Sequence, residues 1–357
     1  MTTRRTFLAG LAAAGLCPRP TWADAGAPAY LSAARMPDGR YYLVGLTTRG
    51  GELFRLPIPA RGHAAAAHPE RPEAVAFARR PGTFAVVLDC VAGKQTALLA
   101  APEGRHFYGH GTFSRDGSLL YTVENDYNTP RGVVSVWEVA SGYLRLGEFP
   151  SGGIGPHDIR LMPDGETFVV ANGGIETHPD SGRTKLNLGT MKPNLTYLQA
   201  DGTILEQVEL DHDIHRNSIR HLALAPDGLV AFAMQWEGDT AEHPPLVSTH
   251  RRGEAPRLFQ AAEDVHREMR GYAGSVAYED GKIAITSPRG GMVQVFDVET
   301  GDCTGVHKLA DVCGLSSGPG GFTVTTGTGE VSGLGPTGLR WDTTLACQWD
   351  NHLVPIA

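Results

Sequence analysis

Three histidines recur at one place in a repeated pattern. His110 lies six residues before Asp116, His157 seven before Asp164 and His221 six before Asp227, and each of these aspartates is followed by glycine. Neutral imidazole is the commonest metal ligand in proteins, and three of them suit iron, copper or zinc. Other polar residues lie near enough in the chain to join such a site. Asp158 and Arg160 flank His157, and Ser218 and Arg220 precede His221. Glu124, Asn125 and Asp126 end the apolar run after the third turn, Asn172 the run after the fourth, and Gln235 the run after the fifth. His110, His157 and His221 are therefore the candidate metal ligands, with Asp158, Asn172, Glu176, Arg220, Gln235 and Arg289 as candidate ligand-binding groups. The competing reading is structural: a Gly-His pair such as Gly109-His110 or Gly62-His63 can simply bond polar groups inside a sheet. His157, Asp158 or Glu176 could also serve as a general base, with Arg220 facing developing negative charge.

The elements that would position these residues are strands joined by tight turns. An apolar run, a turn carrying Asp-Gly or Pro-Gly, and a second apolar run recur seven times, with the turns at Asp38-Gly39, Pro81-Gly82, Asp116-Gly117, Asp164-Gly165, Asp227-Gly228, Asp280-Gly281 and Pro319-Gly320. Glycine takes the positive φ that tight hairpins need, and the flanking residues alternate as in half-buried sheets. Copies lie about 35 to about 63 residues apart, the length of four-stranded propeller blades with insertions. The pattern predicts an all-β, seven-bladed β-propeller. The first strand of each blade is then innermost, so the three histidines look into one central funnel. The place they occupy holds Ser32, Gly274 and Cys313 in the first, sixth and seventh copies. Trp137 and Phe296 read as core residues of outer strands. The longest insertion, around Ile175 to Ile214, reads as a loop over one face, and Asp211-His212-Asp213-Ile214-His215 as a solvated loop.

Composition agrees with one soluble domain after a short leader. The 357 residues are 41% hydrophobic and 20% charged, with 45 glycines spread along the chain. Residues 1–25 begin Thr3-Arg4-Arg5-Thr6-Phe7-Leu8, continue through an apolar run to Leu16 and end with small residues at Ala23 and Ala25. That layout resembles a twin-arginine export signal, with a general secretory signal as the alternative, and the apolar run is too short to stay in a bilayer. Residues 26–357 form the propeller, in the periplasm. Removing residues 1–23 takes away Arg4, Arg5 and Arg19 and no acid, which moves the net charge from -8 to -11. An acidic chain without basic clusters argues against nucleic acid and suits cations or a basic protein. Cys90, Cys303, Cys313 and Cys347 follow the leader, so one or two disulfides are open in an oxidising compartment. No Cys-x-x-Cys, His-Glu-x-x-His, Gly-x-Ser-x-Gly or Walker loop occurs.

Longer motifs carry a family resemblance. Arg105-His-Phe-Tyr-Gly-His-Gly111, Gly155-Pro-His157, Ala171-Asn-Gly-Gly-Ile-Glu-Thr-His-Pro-Asp180, Gly182-Arg-Thr-Lys-Leu-Asn-Leu188, Ser218-Ile-Arg-His-Leu222, Ser287-Pro-Arg-Gly290 and Trp349-Asp-Asn-His352 resemble a bacterial family known as domain of unknown function 1513. The resemblance implies a twin-arginine-exported seven-bladed propeller encoded beside imelysin-type iron-uptake proteins. It implies a role in iron acquisition or metal handling with periplasmic or membrane partners, and supplies no activity and no catalytic residue. A lactonase-like hydrolase and a protein-interaction scaffold are the alternative functions.

Overall fold

The computed structural model describes residues 19–80, 82–182 and 184–356. The Arg4-Arg5 segment of the expected export signal lies outside these residues. Trp22–Ala25 forms a short 3₁₀ turn, and the Trp22 indole donates to the His68 carbonyl at 2.9 Å while packing on the propeller core.

Seven antiparallel sheets make the ring. Blades 2 to 7 each take four consecutive strands in simple meander order. Their first strands are Gly62–Ala67, Arg105–Phe113, Pro156–Leu161, Asn217–Leu224, Ser275–Glu279 and Val312–Gly318. Each first strand touches the first strand of the next blade, so these strands line the axis. Blade 1 is assembled from both ends of the described chain. Tyr30–Arg35, Tyr41–Leu46 and Glu52–Ile58 supply three strands, and the C-terminal segments Gln348–Trp349 and Val354–Pro355 pair with Tyr30–Arg35 on its axial side. Val354–Pro355 touches the inner strands of blades 7 and 2, which closes the ring without a free inner edge.

This closure corrects the expected register of the first two repeats. The Asp38-Gly39 turn joins the second and third strands of blade 1, not the first and second, so Ser32 is one strand removed from the axis. The Arg79–Gly82 turn likewise joins the second and third strands of blade 2. The first hairpin of blade 2 has no Asp-Gly. The His68 Nδ1 closes it by accepting from the backbone N–H groups of Glu70 and Arg71 at 3.1 and 3.0 Å. Turn chemistry that needs a tight reversal serves either hairpin of a blade, so the same dipeptide marks two different places.

The strands are apolar on both faces because both faces are buried. Phe168 and Val170 join the cluster between blades 3 and 4, while Val169 and Ala171 join the one between blades 4 and 5. In blade 5, Val230, Phe232 and Met234 face blade 4, and Ala231 and Ala233 face blade 6. A period of two therefore distributes one strand between two interfaces. Seven such clusters fill the seven interfaces, and Trp137 and Phe296 sit in them as expected. Outermost strands such as Leu144–Pro150 alternate between exposed and half-buried.

The one α-helix among the described residues is Glu263–Arg267, between blades 5 and 6. No helix among the described residues is long and apolar enough to cross a membrane. The expected insertion is narrower than the sequence implied. Asn194–Gln199 and Ile204–Glu209 are regular strands of blade 4, which leaves 173–193 as the loop. His212–Ile214 is a short, largely solvent-facing 3₁₀ turn. Cys90, Cys303, Cys313 and Cys347 are all free thiols, so the disulfides held open from the sequence do not form.

A five-histidine ring on the propeller axis

The inner strands do not run straight. Their pairing with the second strand slips between Gly62 and Ala65, Phe107 and Gly111, Pro156 and Asp158, Ile219 and His221, and Val312 and Leu315. A bulge leaves residues out of the ladder and re-aims a side chain. In blades 2 to 4 the histidine lies within the slip, as His63, His110 and His157, and in blade 5 Arg220 lies within it with His221 paired directly beside it. Blade 1 supplies His352 from the break between Gln348–Trp349 and Val354–Pro355. The inner strand of blade 6 pairs without a slip and has Gly274 just before it. Blade 7 has the slip with Cys313 in it, whose thiol donates to the Thr325 and Trp349 carbonyls. Burial raises that thiol to about 12, which keeps it protonated and a poor metal ligand.

The five imidazoles therefore meet on the axis. Ring centroids lie 4.4 Å apart for His63 and His352, 5.0 Å for His63 and His110, 5.1 Å for His110 and His157, 4.8 Å for His157 and His221, and 4.7 Å for His221 and His352. Glycine makes room for this packing. Gly109 has φ +97°, and a Cβ there would sit 2.5 Å from the His63 ring. His63 and His352 were missed from sequence, although Gly62-His63 and Trp349-Asp-Asn-His352 stood out as motifs.

Burial governs the protonation of the ring. Desolvation lowers His63 to about 4, and lowers His157, His221 and His352 well below the ordinary imidazole value, with neighbouring rings and Arg220 adding to the effect at His157. These rings are neutral at pH 7, the state in which a nitrogen lone pair can bind a metal. Two buried carboxylates hold the ring from outside. Asp158 of blade 4 lies 3.1 Å from His110 Nδ1, accepts from the Leu222 N–H at 3.1 Å and faces Arg160 at 3.3 Å. Asp350 of blade 1 lies 3.4 Å from His63 Nδ1 and pairs with Arg61 at 2.7 Å and Arg79 at 3.3 Å. Burial alone would raise both carboxyls, but Arg160 and His110 for Asp158, and His63, Arg79 and Arg61 for Asp350, hold them well below the usual carboxylate range. The contacts of Asp158 with His110 and Leu222, and of Asp350 with His63, Arg61 and Arg79, cross between blades, unlike the within-sheet role that a Gly-His pair suggests.

Two overlapping triads could hold a metal: His63, His110 and His352, and His110, His157 and His221. In each, one ligand nitrogen per residue lies within 4.8 Å of the others. Hydrogen bonding separates the triads. His63 and His352 already bond each other through their Nε2 atoms at 3.2 Å, and His63 has Asp350 on its other nitrogen. His110 Nε2, His157 Nδ1 and His221 Nδ1 are buried and have no hydrogen-bond partner. An ionised carboxylate only accepts, so Asp158 fixes the proton of His110 on Nδ1 and turns the Nε2 lone pair inward. Nitrogens bound tetrahedrally to one ion at about 2.1 Å lie about 3.4 Å apart, so modest side-chain rotation brings this second triad onto a single ion.

The remaining sequence candidates divide clearly. Arg220, Gln235 and Arg289 line a funnel of about 460 Å³ above the ring, with His63, His157 and His221 at its floor. Asp158 lines the opposite mouth, about 420 Å³, together with Arg160, His221 and His352. Asn172 is not a ligand group. It is fully buried in blade 4, donates to the Ser151 carbonyl at 3.0 Å, Asn194 Oδ1 at 2.9 Å and Thr196 Oγ1 at 3.1 Å, and accepts from Ser151 Oγ at 2.7 Å. Glu176 belongs to the 173–193 loop, where its backbone N–H donates to Asn187 Oδ1 at 2.7 Å, and it is not among the funnel residues. Glu124 faces Arg105 at 3.8 Å and Arg145 at 4.0 Å instead of the axis.

The expectation of a chain without basic clusters also fails locally. Arg61, Arg79, Arg80, Lys185, Arg220 and Arg289 all line the funnel, and Glu237 is the one carboxylate among its lining residues. Net charge concealed this because these residues are far apart in sequence.

Comparison with known proteins agrees with the fold. A solved structure titled "Kuenenia stuttgartiensis Hydrazine Synthase" superposes with a TM-score of 0.60 over 89% of this chain and 96% of that chain, at 12% identity. At that identity the likeness shows the propeller fold alone. No curated protein sequence matches. The family model described as "Protein of unknown function (DUF1513)" matches residues 56–356, which takes in all five axial histidines, and the chain belongs to that family.

Proposed function

We propose that this protein is a periplasmic binding protein for iron acquisition or metal handling, and that His110, His157 and His221 hold one transition-metal ion on the propeller axis. The observation that carries this reading is three imidazoles that each bring one nitrogen within 4.8 Å of the others and each hold a buried nitrogen without a hydrogen-bond partner. Buried polar atoms in folded proteins normally have partners, and leaving three of them unmet in one small volume costs about 1–3 kcal/mol each. A bound ion meets all three at once. The donor set is nitrogen only, which suits iron, copper or zinc. Asp158 acts behind His110 as an orienting carboxylate. Periplasmic location rests on the twin-arginine pattern of residues 1–25, and partners in an iron-uptake system rest on the family resemblance.

The test is the metal content of protein purified from its native compartment, measured beside a His110→Ala/His157→Ala/His221→Ala variant. About one ion per chain in the natural protein and none in the folded variant is the expected result. A natural protein that is metal-free and takes up no Fe²⁺, Cu²⁺ or Zn²⁺ on titration would remove the reading. Location is tested separately: Arg4→Lys/Arg5→Lys should leave the precursor uncleaved and outside the periplasmic fraction.

A further inference from the structure

The funnel above the histidine ring has a charge that the metal reading does not use. Six cations converge on about 460 Å³ in a chain whose formal net charge is -8. Like charges repel, and a low-dielectric wall strengthens the repulsion, so such a cluster is costly without a partner. Among the described residues, two carboxylates are shared by four of these cations. Arg61 and Arg79 share Asp350 at 2.7 and 3.3 Å, and Lys185 and Arg220 share Glu237, the latter at 3.8 Å. Arg289 sits over the Tyr272 ring, its guanidinium carbon 4.3 Å from the centroid, and Arg80 reaches Thr177 Oγ1 at 3.4 Å. The buried Nε of Arg220 has no hydrogen-bond partner. The cations also come from separate parts of the fold: the start and second turn of blade 2, the 173–193 loop, the inner strand of blade 5 and the turn after Lys282–Ser287 in blade 6.

We infer that the funnel is a binding site for a small polyanion carrying two or more carboxylate or phosphate groups. Guanidinium forks match both groups in bidentate geometry, and several of them around one cavity select for multiple charge over single charge. Arg220, Arg289 and Arg61 present the anion face, Lys185 closes it from the loop, and the neutral histidines form an uncharged floor. A bare metal cation is repelled by this mouth, whereas an anionic complex of a metal is drawn into it. The inference itself rests on the funnel charges and holds for protein stripped of metal.

The experiment is isothermal titration of chelator-treated, dialysed protein with citrate, pyrophosphate and acetate in low salt. One-to-one binding of citrate or pyrophosphate, at least about 100-fold tighter than acetate, is expected, and the tighter of the two identifies the group that the funnel prefers. Raising the salt to about 0.5 M should weaken it by at least about tenfold, as for any partly exposed charge pairing. Arg220→Gln/Arg289→Gln should weaken binding by at least about 30-fold, and Arg289→Gln alone, at an exposed side chain outside the Asp350 and Glu237 ion pairs, by at least about fivefold. Arg55→Gln, on the outer strand of blade 1 and paired with Glu52, should leave it unchanged. No heat with either polyanion at about 1 mM, or an equal loss on changing Arg55, overturns the inference.

Discussion

Blades 4 and 6 share one plan and part at the inner strand. Both have four strands, an Asp-Gly turn after the first strand, and second strands buried on both faces. The inner strand of blade 4 slips by one residue at His157, and that slip sends His157 and Asp158 to the axis. The inner strand of blade 6 pairs in register from Ser275 to Glu279 and brings no histidine. A closed propeller therefore does not need the bulge. The outer hairpins of blades 4 and 6 both slip, at Tyr197/Leu198 and Val295/Phe296, but the inner-strand slips lie in or beside a histidine in four blades, so the inner bulge is a feature added to the fold and not a by-product of it.

Breaking the bulged blades should cost most where packing is tightest. Gly109→Ala places a Cβ against the His63 ring at a positive φ, and a loss of about 2–4 kcal/mol in folding stability is expected, read by denaturant unfolding. A glycine at the histidine place of blade 6 gives the contrast: Gly274→Ala meets the Pro288 ring at 2.9 Å without a positive φ and should cost less than half as much. Asp158→Asn should lower metal affinity by about 10- to 100-fold, because the amide no longer fixes the His110 tautomer, and competition with a chelating dye measures it. Asn172→Ala should destabilise the fold by about 1–3 kcal/mol through its lost bonds and leave metal affinity within about twofold, which separates a structural amide of blade 4 from the site beside it. Among the axial histidines His352→Ala should change metal affinity little, by under about threefold, since its Nε2 is already engaged by His63.

The same comparison explains what could be read from the sequence. His110, His157 and His221 were legible because each precedes an Asp-Gly hairpin by six or seven residues, and local turn chemistry is written in adjacent residues. His63 was hidden because the first hairpin of blade 2 is closed by the His68 side chain. His352 was hidden because its blade is completed by the other end of the chain, and ring closure leaves no local mark. The cationic funnel was illegible for a related reason. Arg61, Arg79, Lys185, Arg220 and Arg289 lie in four blades, and only the ring topology makes them neighbours. Asn172 looked like a site residue because it ends a strand near the axis, but its amide is spent on blade 4 itself.

The most direct test of the central claim is anomalous diffraction from crystals soaked in Fe²⁺, Cu²⁺ or Zn²⁺. A single axial peak at about 2.0–2.2 Å from His110 Nε2, His157 Nδ1 and His221 Nδ1 is the predicted result. No peak on the axis, or a peak held by His63 and His352 instead, would contradict it.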